Sequence, residues 1–330
     1  MIRSLKQLCR SFHGSPLVSN LKQKNHRSRK EENPFLALFA DGHATGPPCN
    51  TAFDSSGSAI KSSYIIFITG RCGSTLLTRL IKATQLAGDP NEYLNIDYIK
   101  RARWRGSLSA YLKEIIRRTA SNGCFGLEID WIHLRFLEPL LDFELVFPPV
   151  QTTFFYMTRR DIVAQAWSFA SAKTTGVWQN YADTIASSMS HSDTIALSDK
   201  QIWHEILLIL EAEMRFEQFF KRHHIKPTRI DYEMLMTSRR DVLGLMLLKL
   251  GCDLESIVAH TDQIIDQTLK IPRDQFASTL HFRSKYANLL AAAQSMRGSN
   301  YVAIQRCLVR LGLFGTGNSS FNLPTPPPPP

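Results

Sequence analysis

The sequence predicts an α/β fold in which helices cover both faces of a parallel sheet. Three observations predict it. Short apolar runs alternate with longer amphipathic segments along residues 62–250. A glycine-rich turn follows the first of these runs, and Arg159 follows another. Because ligands of such sheets bind at the carboxyl ends of the strands, we expect the turn and the arginine to lie at one edge.

The predicted elements follow one another in regular order along the chain. Strands are predicted at residues 64–69, 126–130, 152–158 and 228–230. Helices are predicted at residues 75–87, 132–141, 161–172, 200–223 and 241–250, the last of them closed by Gly251.

The composition divides the chain into three predicted parts. Residues 1–60 are expected to be a disordered basic segment, residues 61–300 the catalytic domain, and residues 301–330 a C-terminal segment ending in a proline-rich tail. Residues 1–33 hold eight lysines and arginines against two glutamates, which is most of the net charge of +10. The remainder is only mildly basic, so we expect no nucleic-acid partner.

The N-terminus and the cysteines bear on localisation. Residues 1–15, MIRSLKQLCRSFHGS, resemble an amphipathic targeting leader of a eukaryotic organelle, although a disordered basic tail is favoured. No apolar run reaches the ~18 residues of a membrane span. Six cysteines are scattered without a CxxC pair, so we expect reduced thiols and no metal site. These features predict a cytoplasmic protein.

The strongest motif is YIIFITGRCGSTLL, a buried strand followed by a tight turn and a helix. Backbone N–H groups at such a helix start have no intrahelical partner, so they attract an anion. Gly70 and Gly73 allow close approach of the backbone, Ser74 and Thr75 add hydroxyl donors, and Arg71 adds a forked cation. The motif therefore predicts a phosphate or phosphosulfate site.

The spacing within this motif favours some anions over others. A P-loop needs Gly-x-x-x-x-Gly-Lys-Ser/Thr, whereas here the glycines are closer together and no lysine precedes Ser74. GxGxxG is absent, so a dinucleotide site is excluded. Cys72 lies at a helix start, where a thiol pKa falls, although a role as a small filler residue is favoured over a nucleophile.

A second anion site is predicted after the third strand, in TRRDIVAQAWSF. Arg159 leaves the strand, and Ser168 lies on the helix that follows. An arginine and a hydroxyl at this junction suit a phosphate monoester. The signal is weak alone and becomes specific together with the glycine-rich turn. A donor with two anionic groups, 3′-phosphoadenosine 5′-phosphosulfate (PAPS), would need both sites.

With both sites in view, the chain resembles the PAPS-dependent carbohydrate sulfotransferases that include mycobacterial trehalose 2-sulfotransferase. The resemblance spans roughly residues 62–250 and rests on GRCGST, GDPNEYLN, GLEIDW, FFYMTRRDIVAQAWSF and PTRIDYEML. It implies a P-loop-like sulfotransferase fold, PAPS as co-substrate with 3′,5′-ADP as product, and no metal. It also implies direct in-line transfer to a hydroxyl of a carbohydrate or glycolipid, and a homodimer.

The resemblance also implies roles for individual residues. Those that would hold the phosphosulfate are Arg71, Cys72, Gly73, Ser74 and Thr75. Those that would hold the 3′-phosphate are Arg159 and Ser168. Glu92 would be the general base. The residues that would line the acceptor are Gly70, Asp89, Pro90, Asn91, Tyr93 and Asn95.

The chain departs from the family pattern on the acceptor side. Gly70 stands where relatives have a glutamine, Tyr93 replaces a phenylalanine, and Glu128 stands where they have a lysine. These departures make trehalose itself a doubtful acceptor. His133 and Glu128 are the fallback bases. Two alternatives stay open, a P-loop-like nucleotide kinase and a catalytically silent relative that binds a nucleotide or sugar.

Overall fold

Four short runs of β-branched and aromatic residues form a parallel sheet in the computed structural model. The structure describes residues 33–39, 59–176, 178, 196–253, 255–257 and 275–313. The strands are β1 (Ser62–Ile68), β2 (Cys124–Asp130), β3 (Thr152–Thr158) and β4 (Thr228–Asp231). Their order across the sheet is β2-β1-β3-β4, and each neighbouring pair is parallel. The predicted α/β class is confirmed.

Helices connect the strands and extend the fold beyond β4. The first six are α1 (Ser74–Thr84), α2 (Ile96–Ala102), α3 (Leu108–Thr119), α4 (Trp131–Leu137), α5 (Phe143–Val146) and α6 (Ile162–Thr175). The others are α7 (Asp199–Arg222), α8 (Tyr232–Thr237), α9 (Arg239–Lys249), α10 (Gln275–Lys285), α11 (Ala287–Ser295) and α12 (Val302–Arg310).

The central strand β1 is buried on both faces, as its continuous apolar sequence predicts. Ile65 and Phe67 belong to a core cluster that includes residues of α3, α4, α5 and α7. Tyr64, Ile66 and Ile68 belong to a second cluster with residues of α1 and α9. This alternation with a period of two residues places helices against both faces of the sheet.

A third cluster lies beside the sheet and joins α6 and α7 to the C-terminal helices. Its buried members include Trp203 on α7, Leu289 on α11, and Ile304 and Leu308 on α12. Helix α12 lies beyond the boundary predicted at residue 300, yet it packs with helices on the other side of that boundary. The C-terminal helices α10, α11 and α12 were not among the predicted elements.

Residues 33–39, within the segment predicted to be disordered, pack against the domain. Phe35 is fully buried and Phe39 nearly so, and both belong to the cluster of α3 and α4.

The cysteines differ from the expectation of reduced thiols, because Cys307 is disulfide-bonded, whereas Cys72, Cys124 and Cys252 are free. Within the described ranges, no helix is long and apolar enough to cross a membrane.

Candidate active site

The turn between β1 and α1, residues 69–73, is the first part of the candidate site and is called the anion loop here. Its backbone adopts left-handed conformations at Arg71 (φ 64°) and Gly73 (φ 94°). Gln165 on α6 is fully buried and holds the loop. Its Nε2 donates to Thr69 Oγ1 at 3.0 Å and to the Gly70 carbonyl oxygen at 2.8 Å. The loop is therefore fixed by the neighbouring helix.

The start of α1 differs from the other helix starts at this edge of the sheet. The helices that follow β2, β3 and β4 begin with Asp130, Asp161 and Asp231, and each aspartate accepts a hydrogen bond from the backbone of its helix. Helix α1 begins at Gly73 and has no side-chain cap. A side chain at position 73 would also collide with the ring of Tyr232. The first N–H groups of α1 are thus left for an anion.

Two arginines face this helix start, and together they are called the cation pair. Arg71 Nε donates to Ser168 Oγ at 3.0 Å, and its Nη1 donates to the Trp178 carbonyl oxygen. The guanidinium of Arg159 lies 4.5 Å from the ring centroid of Tyr232, and its buried Nε has no hydrogen-bond partner in the described part of the chain. The sequence-predicted residues Arg71, Arg159 and Ser168 therefore converge.

The two positive charges of the cation pair repel each other. Burial, followed by the charge of Arg159, lowers the pKa of Arg71. Neither arginine forms an ion pair with any residue in the described part of the chain. Two half-buried cations that no described acid neutralises favour a bound anion, because an anion would supply the missing countercharge and hydrogen-bond acceptors.

The remaining residues of the predicted anion site differ in exposure. Ser74 is buried and Thr75 is exposed at the start of α1. Cys72 is fully buried in the cluster of α1 and α9. Burial, with the nearby Glu128, raises the pKa of the Cys72 thiol to about 12. The expectation that its pKa falls is wrong, since desolvation outweighs the helix start.

A second loop, residues 88–95, carries Glu92 and is called the acidic loop. It extends the edge of the sheet, because the Glu128 backbone N–H on β2 donates to the Asn91 carbonyl oxygen at 3.0 Å. Asn95 then begins α2, and its Oδ1 accepts from the Asp97 N–H at 2.9 Å. Its Nδ2 donates to Glu92 Oε2 at 3.1 Å. Asn95 thus caps α2 and also hydrogen-bonds the Glu92 carboxylate.

The other predicted acceptor residues lie in different surroundings. Asp89 pairs with Lys82 at the surface, Asn91 is exposed and Pro90 is buried. The Tyr93 ring is buried, and its hydroxyl donates to the Asp89 carbonyl oxygen at 2.6 Å. Tyr93 therefore stabilises the loop from the core side.

Glu92 lies beside Asp130 and His133 at the junction of β2 and α4. Asp130 Oδ1 accepts from the His133 backbone N–H at 2.8 Å and lies 2.6 Å from its Nδ1. Ligand atoms of these three residues all lie within 4.8 Å of one another, a spacing that could hold a metal ion. Among the described residues, no other three histidine, cysteine, aspartate or glutamate side chains lie close enough together to share a metal ion.

The charges in this cluster shift one another. Burial, followed by the charge of Asp130, raises the pKa of Glu92, whereas Asn95 and His133 oppose the rise. Burial disfavours the charged forms of Asp130 and His133, but their mutual attraction lowers the pKa of Asp130 and raises that of His133. A glutamate with a raised pKa beside a hydrogen-bonded Asp–His pair can accept a proton.

Glu128 connects the two loops. Its side chain is buried, and its Oε1 has no hydrogen-bond partner. Burial, followed by the charge of Glu92, raises its pKa well above the ordinary value, while Ser74 and Thr78 on α1 oppose the rise. Glu128 thus lies between the start of α1 and the acidic loop, and its neutral form is favoured.

Three residues of this arrangement were not predicted. Gln165 holds the anion loop, Tyr232 packs against Gly73 and Arg159, and Asp130 pairs with His133. A signal for the pair was present, because an aspartate at a strand end three residues before a histidine is the pattern of a helix cap. The roles of Gln165 and Tyr232 depend on contacts between distant segments.

The family is decided by comparison with known proteins. A family model described as Stf0 sulphotransferase matches residues 63–274. The chain belongs to the Stf0 sulphotransferase family. The predicted resemblance is thereby confirmed, and the match includes both loops and the cation pair. Membership supports an enzyme with sulfuryl transfer as its general reaction.

A curated relative agrees with this assignment. The chain is 22% identical over 240 residues to a protein named trehalose 2-sulfotransferase from Mycolicibacterium smegmatis. The alignment covers 58% of this chain and 85% of the relative.

Proposed function

We propose that this Stf0 sulphotransferase moves the sulfuryl group of PAPS to a hydroxyl of a carbohydrate or glycolipid, with Glu92 as general base. The observation that carries the proposal is the start of α1. Three neighbouring helix starts have an aspartate cap, whereas this one has Gly73 and lies near two arginines that pair with no acid among the described residues. A ligand with more than one anionic group suits it.

The residues present fit PAPS, which carries a 5′-phosphosulfate and a 3′-phosphate. The unpartnered N–H groups at the start of α1 suit the phosphosulfate. The orphaned Nε of Arg159, with Ser168 nearby on the adjacent helix, suits the phosphate monoester. Arg71 bridges the two sets because its Nε donates to Ser168 while its backbone belongs to the anion loop.

When bound, PAPS supplies the sulfuryl group, and 3′,5′-ADP is the product that leaves. The acceptor oxygen forms the new bond to sulfur as the bond from sulfur to the 5′-phosphate oxygen breaks. In the proposed mechanism, the anion loop and Arg71 stabilise the negative charge that develops on that phosphate. Glu92 takes the proton that the acceptor hydroxyl loses, and its raised pKa brings it nearer to neutral pH.

The acceptor is proposed to be a carbohydrate because the curated relative is named for trehalose. Trehalose itself is not favoured. A side chain at position 70 would collide with the ring of Phe169, so this ring occupies the space beside Gly70 that a glutamine would need. An aromatic ring at a sugar site can stack against the apolar face of a sugar ring.

The test is transfer from labelled PAPS to a carbohydrate and glycolipid extract, with trehalose assayed separately and EDTA present. We expect label in a carbohydrate-containing product, which mass spectrometry then identifies. The matched control is Glu92→Gln, which should bind 3′,5′-ADP without transferring label. In a parallel assay with magnesium in place of EDTA, ATP turnover without label transfer would instead favour the kinase. Binding of 3′,5′-ADP without transfer by the wild type to any extract would favour the silent relative.

A further inference from the structure

Residues 33–39, called the N-terminal strap, lie outside the part of the chain that matches the family model. The strap forms a turn in which Phe39 N–H donates to the Phe35 carbonyl oxygen at 3.2 Å. Asn33 Nδ2 donates to the Phe136 carbonyl oxygen on α4 at 2.7 Å. Asn33 Oδ1 also accepts from the Phe35 N–H at 3.0 Å. The strap is therefore attached to the helix that carries His133.

One series of contacts connects the strap to Glu92 through His133. The ring of Phe35 meets the imidazole of His133 edge-on, with centroids 6.4 Å apart and planes at 85°. Phe35 is fully buried, so it closes the side of the imidazole that it covers. His133 in turn hydrogen-bonds Asp130, and the pair lies beside Glu92. Phe35 thus limits where the imidazole can lie.

A second series of contacts connects the strap to the acidic loop through Tyr111. The ring of Phe39 lies 5.7 Å from that of Tyr111 on α3, centroid to centroid. The Tyr111 hydroxyl donates to the Tyr93 carbonyl oxygen at 2.7 Å. Tyr93 directly follows Glu92 in the acidic loop. Two aromatic residues of this short segment, four positions apart, therefore contact residues on both sides of Glu92.

We infer that the N-terminal strap is a positioning element for the acidic loop, which holds Glu92 in place through His133 and Tyr111. This inference rests on the proposed function for its catalytic meaning, because it assigns Glu92 the role of base. The strap itself touches neither loop of the site in the contacts above. Phe35 and Phe39 are accordingly positioning residues, and we expect them to influence the acceptor step while the anion loop stays unchanged.

The alternative is that Phe35 and Phe39 only fill the core. A matched control separates the two, because Phe147 belongs to the same cluster and is almost fully buried. Its ring neighbour is Phe143 on α5, and among the described residues no ring contact joins it to His133 or Tyr111. Phe35→Leu and Phe147→Leu remove similar buried volume from one core, so their effects on packing should be similar. Leu36→Ala, at an exposed strap position, is the surface control.

The experiment compares full-length wild type, Phe35→Leu, Phe147→Leu and Leu36→Ala. Three quantities are measured: 3′,5′-ADP affinity, amide hydrogen exchange of residues 91–95, and label transfer from PAPS to a dilution series of the carbohydrate and glycolipid extract. A shift of about 1 Å in a catalytic group can cost about 100-fold in rate. We expect Phe35→Leu to lower transfer about tenfold and to speed exchange in the acidic loop, with 3′,5′-ADP affinity unchanged.

The two leucine variants decide the outcome. Equal changes in transfer and exchange in Phe35→Leu and Phe147→Leu would overturn the inference. Should Phe35→Leu not fold, Phe35→Met and Phe39→Leu are compared in the same way, since methionine conserves more volume and Phe39 acts through the other contact. Absence of transfer in the wild type would contradict the proposed function alone, because hydrogen exchange still tests the strap.

Discussion

The anion loop and the acidic loop lie at neighbouring places on the sheet and have opposite electrostatics. Around the anion loop, Arg71 and Arg159 form no ion pair with the residues that the structure describes, and the helix start beside them has no capping side chain. Around the acidic loop, Glu92 and Glu128 are acids whose pKa values burial raises. One region lacks negative charge, and the other holds acids that favour a proton.

This difference indicates how one site can divide two tasks. A region that lacks negative charge binds an anionic group, and a buried acid with a raised pKa accepts a proton. Glu128 lies between them, and burial, followed by the charge of Glu92, raises its pKa. Substitutions on the two sides should therefore have separable effects, with binding lost on one side and turnover lost on the other.

The largest effect is expected on turnover, from a change at Glu92 in the acidic loop. Glu92→Gln should lower turnover by about 10²–10⁴-fold, the usual contribution of a general base. The affinity for 3′,5′-ADP, measured by calorimetry, should stay at the wild-type value. Glu114→Gln is the control, since Glu114 is an acid on α3 that pairs with Arg117 and Arg118 away from the acidic loop. A parallel loss of 3′,5′-ADP binding in Glu92→Gln would mean that the two sides are not separable.

The next largest effect is expected on nucleotide affinity, from a change at Arg159 near the anion loop. A hydrogen bond to a charged group contributes about 1.5–3 kcal/mol, so Arg159→Ala should weaken 3′,5′-ADP binding by about tenfold to 100-fold. Turnover at saturating PAPS should fall much less. The control is Arg160→Ala, which removes an exposed arginine that pairs with Asp231. Unchanged affinity in Arg159→Ala would remove the second phosphate site from the account.

The smallest effect concerns the hydrogen bond between Asn95 and Glu92. A base acts in its ionised form, so the rate falls as the pH falls through the pKa of Glu92. Burial and Asp130 raise that pKa, and the Asn95 hydrogen bond opposes the rise. Asn95→Ser keeps a residue that can cap α2 but removes the amide group that reaches Glu92, so the acidic limb of the rate profile should move to higher pH.

A second variant sharpens this prediction. Asn95→Asp also keeps the cap but places a like charge beside Glu92, so its acidic limb should move further in the same direction. The measurement is turnover at saturating PAPS across the pH range. An acidic limb that stays at the wild-type pH in Asn95→Asp would show that Glu92 does not limit the rate there.

The sequence predicted local features of the fold and site better than distant contacts. β3 was predicted with its observed bounds, and α6 (Ile162–Thr175) overlaps the helix predicted at residues 161–172. Such features depend on neighbouring residues, which a single sequence displays. The strap packs on α4 across roughly a hundred residues of sequence, as in the hydrogen bond from Asn33 to Phe136. Nothing in its composition specifies that partner.

Burial explains the other differences. The motif predicted a reactive environment for Cys72, but desolvation raises its pKa because the side chain points into the core between α1 and α9. Tyr93 was predicted to line the acceptor, yet its ring is buried and its hydroxyl supports the Asp89 backbone. Which side of a loop residue faces the core depends on the packing of the whole domain.

The most direct test of the two-sided site is a comparison of nucleotide affinities for the wild-type protein in EDTA. Titration with 3′,5′-ADP and with 5′-ADP isolates the 3′-phosphate, which Arg159 and Ser168 are proposed to hold. The account predicts that 3′,5′-ADP binds at least about tenfold more tightly, the effect of about 1.4 kcal/mol. Equal affinity for the two nucleotides, or a requirement for magnesium with ATP preferred, would contradict it.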